Sequence, residues 1–101
     1  MPICHNKVYE REFRDMMIAQ GHHCERVAGS GVGRDSVCDC VLFKEGKVYL
    51  VEVKATSKPV LRNRKEIREQ LARMQEVAKK QGVECMLAIK YKYRGWETSI
   101  Y

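Results

Sequence analysis

Nowhere in these 101 residues is there an apolar stretch of membrane-spanning length, and no signal peptide is recognisable. Both absences predict a cytoplasmic protein with no membrane partner. No internal repeat, low-complexity tract or linker interrupts the chain, which predicts one domain over residues 1–101. That length sustains one core but is small for an enzyme cleft built alone, so a partner subunit is expected. There is also no C-x-x-C pair. The five cysteines, Cys4, Cys24, Cys38, Cys40 and Cys85, are odd in number and read as free thiols in a reducing compartment. Cys38 and Cys40 would share one face of a strand, and His22, His23 and Cys24 are adjacent, so zinc is a competing reading. Buried thiols packed as small hydrophobes are preferred.

Acid is the scarcer charge: 13 Asp and Glu stand against 19 Lys and Arg, a formal net charge of +6. The excess is concentrated between Lys54 and Lys80. Nine bases (Lys54, Lys58, Arg62, Arg64, Lys65, Arg68, Arg73, Lys79, Lys80) face three acids there (Glu66, Glu69, Glu76), a segment net of +6. A solvated helix face is the ordinary reading of such a run; beside the Glu52-Val53-Lys54 segment, a candidate metal site, a polyanion footprint is the expected one.

Along the chain, Tyr9, Phe13, Met16, Met17 and Gln20 recur at three- and four-residue steps, predicting a helix from about Lys7 to Gln20 with Gly21 as its stop. Glu10 falls on the buried stripe and Glu12 does not. The dipole of a first turn would account for Glu10, as would a functional role. Cys24 to Ala28 reads as a short strand. Residues 29–36 hold three glycines without the spacing of a phosphate-binding loop, so they read as a loop beside a site.

Two strands follow, Val37 to Phe43 and Val48 to Ala55, joined by Lys44-Glu45-Gly46-Lys47. A turn centred on Glu45-Gly46 makes cross-strand positions sum to 91, which sets Asp39 opposite Glu52. Like charges placed so are destabilising unless a cation lies between them. A three-residue loop with a bulge would shift the sum to 90 and put Asp39 on the other face. Pro59 ends the second strand. A helix from about Asn63 to Gln81 carries Ile67, Leu71, Met74 and Ala78 as its apolar stripe, and strands Cys85 to Tyr93 and Trp96 to Ile100 complete the chain. The order α-β-β-β-α-β-β predicts an α/β domain, a mixed central sheet flanked by helices.

Two acids and a lysine at this register suit metal-assisted phosphodiester hydrolysis. Asp39 and Glu52 offer the hard oxygens that Mg²⁺ prefers, and Lys54, two residues beyond Glu52 on the same strand face, would orient a water or stabilise charge. E-x-K alone is a weak signal. Several motifs in order are stronger: Glu10-Arg11-Glu12, Arg26-Val27-Ala28-Gly29-Ser30, Asp39, Glu52-Val53-Lys54 and Gly95-Trp96. In these the chain resembles the archaeal Holliday junction resolvases, within the nucleases named for the PD-(D/E)xK motif.

The resemblance implies a restriction-endonuclease-like fold and a homodimeric, Mg²⁺-dependent endonuclease that nicks symmetric strands of four-way DNA junctions, with Mn²⁺ able to substitute. It implies Glu10, Asp39 and Glu52 as catalytic metal ligands, Lys54 and Ser30 as further catalytic residues, and Arg11 and Arg26 as contacts to phosphate. Lys7, Arg34, Lys58, Arg62, Arg64, Lys65 and Arg68 complete the expected DNA footprint. Cys4-His5-Asn6 departs from the basic residue and glycine usual in the family, and Val37-Cys38 replaces the proline of the motif's name. The chain ends soon after Trp96, which predicts no tail of the kind that binds accessory proteins, although replication or recombination proteins are candidate partners. Nucleoid association follows from the substrate. Tyr91, Tyr93, Trp96 and Tyr101 are candidates for a dimer interface or for ordinary sheet packing. A duplex-cutting restriction or repair nuclease, and a non-catalytic nucleic-acid-binding module, are the competing readings.

Overall fold

Two apolar stripes at helical spacing need a surface each, and the sheet between them supplies both. The computed structural model describes residues 7–27, 37–57, 65–92 and 94–101. Its elements are α1 (Lys7–Ala19), β1 (His23–Arg26), β2 (Cys40–Lys44), β3 (Lys47–Thr56), α2 (Lys65–Gln81), β4 (Glu84–Tyr91) and β5 (Gly95–Ile100). The expected order holds, with ends displaced by a few residues.

The five strands form one sheet in chain order, β1-β2-β3-β4-β5. All neighbours are antiparallel except β3 and β4, which run parallel with α2 as their crossover. On one face Phe13 and Met17 of α1 meet Cys24, Cys40, Leu42, Val51, Val53, Met86 and Ala88. On the other, Ile67, Leu71, Met74 and Ala78 of α2 meet Cys85, Leu87, Ile89 and Tyr91. The predicted α2 stripe is thus buried on one side of the sheet; on the other, Phe13 and Met17 of the predicted α1 stripe are buried, Tyr9 and Met16 half-buried, and Gln20 is exposed.

The connectivity fixes which chain ends meet. Because α2 links the C-terminal end of β3 to the N-terminal start of β4, its own N-terminus lies at the C-terminal end of those strands. Arg26 at the end of β1 pairs with Cys40 at the start of β2, and β5 begins where β4 ends. One end of the sheet therefore gathers the start of α2, the ends of β1, β3 and β4 and the starts of β2 and β5. An ion pair from Arg26 to Glu10 brings the start of α1 there too.

The β2–β3 hairpin has the register expected of it: Cys40↔Val51, Val41↔Leu50, Leu42↔Tyr49, Phe43↔Val48 and Lys44↔Lys47. Glu45 and Gly46 both have positive φ, 54° and 81°, the signature of a two-residue primed turn whose twist matches its strands. Strand β2 nevertheless starts at Cys40 and not at Val37. Asp39 sits at a bend whose amide donates to the Val51 carbonyl at 2.9 Å. The ladder stops one pair before Asp39 and Glu52, so these two are not ladder partners. The bend also separates Cys38 and Cys40, expected on one face: Cys38 packs with the α2 side and Cys40 with the α1 side.

Among the interface candidates, Tyr91 is buried and Trp96 stacks against Phe13 with ring centres 5.5 Å apart, so both serve the monomer's own packing. Tyr101 is exposed, and Tyr93 lies outside the described residues.

Glu45 holds a left-handed conformation that costs a side chain roughly 1 kcal/mol and that Asn tolerates better. Glu45→Asn should raise the unfolding midpoint by an amount equivalent to roughly 0.5–1 kcal/mol, and Gly46→Ala should lower it by a similar amount. Urea denaturation of the two variants checks both signs.

Candidate active site

Asp39 reaches the site by ending its strand. Its Oδ2 accepts the Val53 amide at 2.9 Å, so the carboxylate occupies the place a continuing strand's carbonyl would fill. The neighbouring strand supplies Glu52 and Lys54, both buried, with Lys54 Nζ 3.1 Å from Glu52 Oε2. Burial, then the charge of Asp39, push the Glu52 carboxyl up to about 7 against the opposing pull of Lys54. Asp39 is therefore near enough to act on Glu52 electrostatically although it is outside the ladder.

Glu10, in the first turn of α1, is buried as its place on the apolar stripe predicted. Burial and the Asp39 charge raise its pKa, and Arg26 and Lys7 act in the other direction. Arg26 Nε and Nη2 each lie 3.3 Å from Glu10 Oε1. Arg26, expected to meet DNA phosphate, is thus engaged with a site acid. A fourth acid was expected to face elsewhere and does: Glu12 Oε1 accepts a hydrogen bond from Trp96 Nε1 at 3.1 Å and lies 3.2 Å from Lys90 Nζ. This clamp of α1 to β4 and β5 escaped sequence reasoning, although an indole N–H in search of a partner was its signal.

Two of these acids each carry an internal cation, Arg26 on Glu10 and Lys54 on Glu52. Among the described residues no group of three or more His, Cys, Asp or Glu side chains is placed to hold a metal ion together. The donor chemistry still fits a hard divalent cation: carboxylate oxygens, mutually repelling, at one end of a sheet. Zinc finds no support there. His23 is exposed and bound to Glu25 at 2.7 Å while Cys24 is buried, so these neighbours point apart, and the described cysteines are free and buried.

Of the expected DNA contacts, Lys7, Arg11, Lys65 and Arg68 are exposed. Lys65 and Arg68 lie in the first turns of α2, at the site end, whereas Lys79 and Lys80 lie in its last turn, at the far end. Ser30, Arg34, Lys58, Arg62 and Arg64 are outside the described residues. No helix among those described is long and apolar enough to cross a membrane.

Over residues 5–99 the sequence matches the archaeal Holliday junction resolvase (Hjc) family. The chain belongs to that family. A solved structure of the Archaeoglobus fulgidus Hjc, a Holliday junction resolvase from an archaeal hyperthermophile, is similar with a TM-score of 0.73 and 28% identity, covering 92% of this chain and 73% of that one. No curated protein matches the sequence. The Hjc family supplies both the fold expected from the sequence and the activity, structure-selective resolution of junctions.

The raised Glu52 pKa has a measurable sign. The folded protein keeps this proton to higher pH than the unfolded chain does, so between the ordinary value of 4.5 and about 7 folding stability falls as pH rises. In metal-free buffer, stability should decline across that window by no more than about 1.4 kcal/mol per pH unit from this group. Glu52→Gln should lack that component, which denaturation series at several pH values would measure.

Proposed function

We propose that this chain resolves four-way DNA junctions by Mg²⁺-dependent hydrolysis of phosphodiesters, as a homodimer that nicks two symmetric strands. The reading of the chemistry rests on one observation: Asp39 and Glu52 are brought together beside Lys54 at one end of the sheet. A bound divalent cation would supply Lewis acidity toward phosphate and a hydroxide available near neutral pH. Asp39, Glu52 and Glu10 are the oxygen donors for it.

The chain's own groups do the rest. Lys54 anchors Glu52 and sets a positive charge where phosphoryl oxygens gain negative charge. Arg26 steadies Glu10. Lys7, Arg11, Lys65 and Arg68, exposed near the same sheet end, hold the DNA backbone, and Ser30 is a further catalytic residue. A junction offers two equivalent strands about a twofold axis, and one site per chain then requires two copies.

Asp39→Ala and Glu52→Ala should each abolish Mg²⁺-dependent nicking of a four-way junction while junction binding survives; cleavage persisting in either variant would overturn the site assignment. Equal cutting of linear duplex of the same sequence would replace the junction by ordinary duplex as substrate. Arg68→Ala should weaken junction binding and lower the log–log salt slope by about 0.9 if one phosphate contact is lost. An unchanged slope, read by fluorescence anisotropy, would return that part of α2 to plain solvated surface.

A further inference from the structure

A second run of bases lies at the same end of the sheet, outside the basic segment of α2. The sequence Lys90-Tyr91-Lys92-Tyr93-Arg94 alternates base and aromatic where β4 turns into β5. Parallel pairing places Lys54 opposite Ile89 and Thr56 opposite Tyr91, and the Lys92 amide donates to the Thr56 carbonyl at 3.1 Å. Tyr91 is therefore two residues beyond the level of Lys54 and one strand across. Backbone to backbone, that is roughly 8 Å, from two strand rises and one strand spacing.

The members of this run have different tasks. Lys90 Nζ lies 3.2 Å from Glu12 and 5.8 Å from the centre of the Trp96 ring, so it braces the hairpin against α1. Lys92 and Arg94 are exposed. The Arg94 amide donates to the Tyr91 carbonyl at 3.1 Å, its guanidinium lies 5.7 Å from the Tyr91 ring centre, and Gly95 takes the positive φ, 84°, that the turn needs. An arginine resting on a ring loses less freedom when it binds a phosphate. Tyr91 itself is buried, which leaves no face on which a base could stack.

We propose that Lys92 and Arg94 form a second phosphate-binding point, which grips the backbone of the cut strand next to the phosphate held beside Lys54. It rests on the reading that this end of the sheet receives junction DNA. The contact positions the strand and carries no base specificity. It also adds two basic residues of the β4–β5 turn to Lys65 and Arg68 of α2 as holds on the DNA backbone.

The test uses the full chain and a fluorescent four-way junction, with Ca²⁺ replacing Mg²⁺ so that binding is read without cutting. Between 50 and 200 mM NaCl, the loss of affinity should shrink by roughly 3.5-fold in Lys92→Ala or Arg94→Ala and by roughly 12-fold in the double variant, the change expected for one and two lost contacts. Arg94→Lys should keep the wild-type slope, and so should Lys79→Ala at the far end of α2. Single-turnover cleavage in Mg²⁺ at saturating protein should stay within twofold of wild type in Lys79→Ala. An unchanged slope in the double variant, or a fall in saturated cleavage rate without a change in slope, would overturn the second contact. If the wild type itself neither binds nor cuts junctions better than duplex, the underlying reading fails, whatever the variants do.

Discussion

The hydrogen bond from the Val53 amide to the Asp39 carboxylate is the contact on which the site depends. A strand that ends beside a longer neighbour leaves that neighbour's amides unpaired, and an unpaired buried amide costs about 1–3 kcal/mol. Asp39 answers this with its side chain. Because the carboxylate does what a backbone carbonyl would otherwise do, β2 can end at Cys40 while β3 continues through Glu52 and Lys54 to Thr56. The unequal strand lengths open the sheet end where the acids meet. An apolar residue at this position would leave the Val53 amide without this acceptor, and a strand residue in its place would close the opening.

Negative charge collected in this way has to be balanced within the fold. Glu52 and Glu10 are both buried, and each is ion-paired with a base, Glu52 with Lys54 and Glu10 with Arg26. Neither pair is there chiefly for stability, since a well-packed apolar pair would serve as well or better in a buried position. The compensation is also incomplete. Asp39 acts on both glutamates, and both carboxyls are displaced upward despite their partners. Acids left under-neutralised by their internal cations are what the proposed Mg²⁺-dependent hydrolysis requires.

The parts of this arrangement that were legible in the sequence are those governed by period and by turn chemistry. Helical spacing gave both apolar stripes and put Glu10 among the buried residues, and the Glu45-Gly46 turn set the 91 register observed along the hairpin. What was not legible came from a side chain substituting for backbone. Strict alternation carried β2 back to Val37, set Asp39 across from Glu52, and put Cys38 and Cys40 on one face. Nothing in alternation signals that a carboxylate will take a strand's hydrogen bond and let the chain bend. The Glu12–Trp96–Lys90 clamp was hidden for a related reason: its members come from three elements whose spatial neighbours no local pattern fixes.

Charge illustrates how far topology can redirect a sequence signal. As composition, the run from Lys54 to Lys80 looks like one continuous basic surface beside the site. The parallel crossover divides it, since α2 must travel from the C-terminal end of β3 to the N-terminal start of β4 and carries Lys79 and Lys80 away from the acids. The same crossover returns β4 toward them, so that Lys92 and Arg94, which lie outside the run, arrive where Lys79 and Lys80 do not. At about 17 residues and 1.5 Å per residue, α2 is roughly 25 Å long, well beyond the screening length of about 10 Å at moderate salt. Bases at its two ends therefore act on different surroundings, and the field at the site is set by which chain ends the fold brings there, with net charge a poor guide to it.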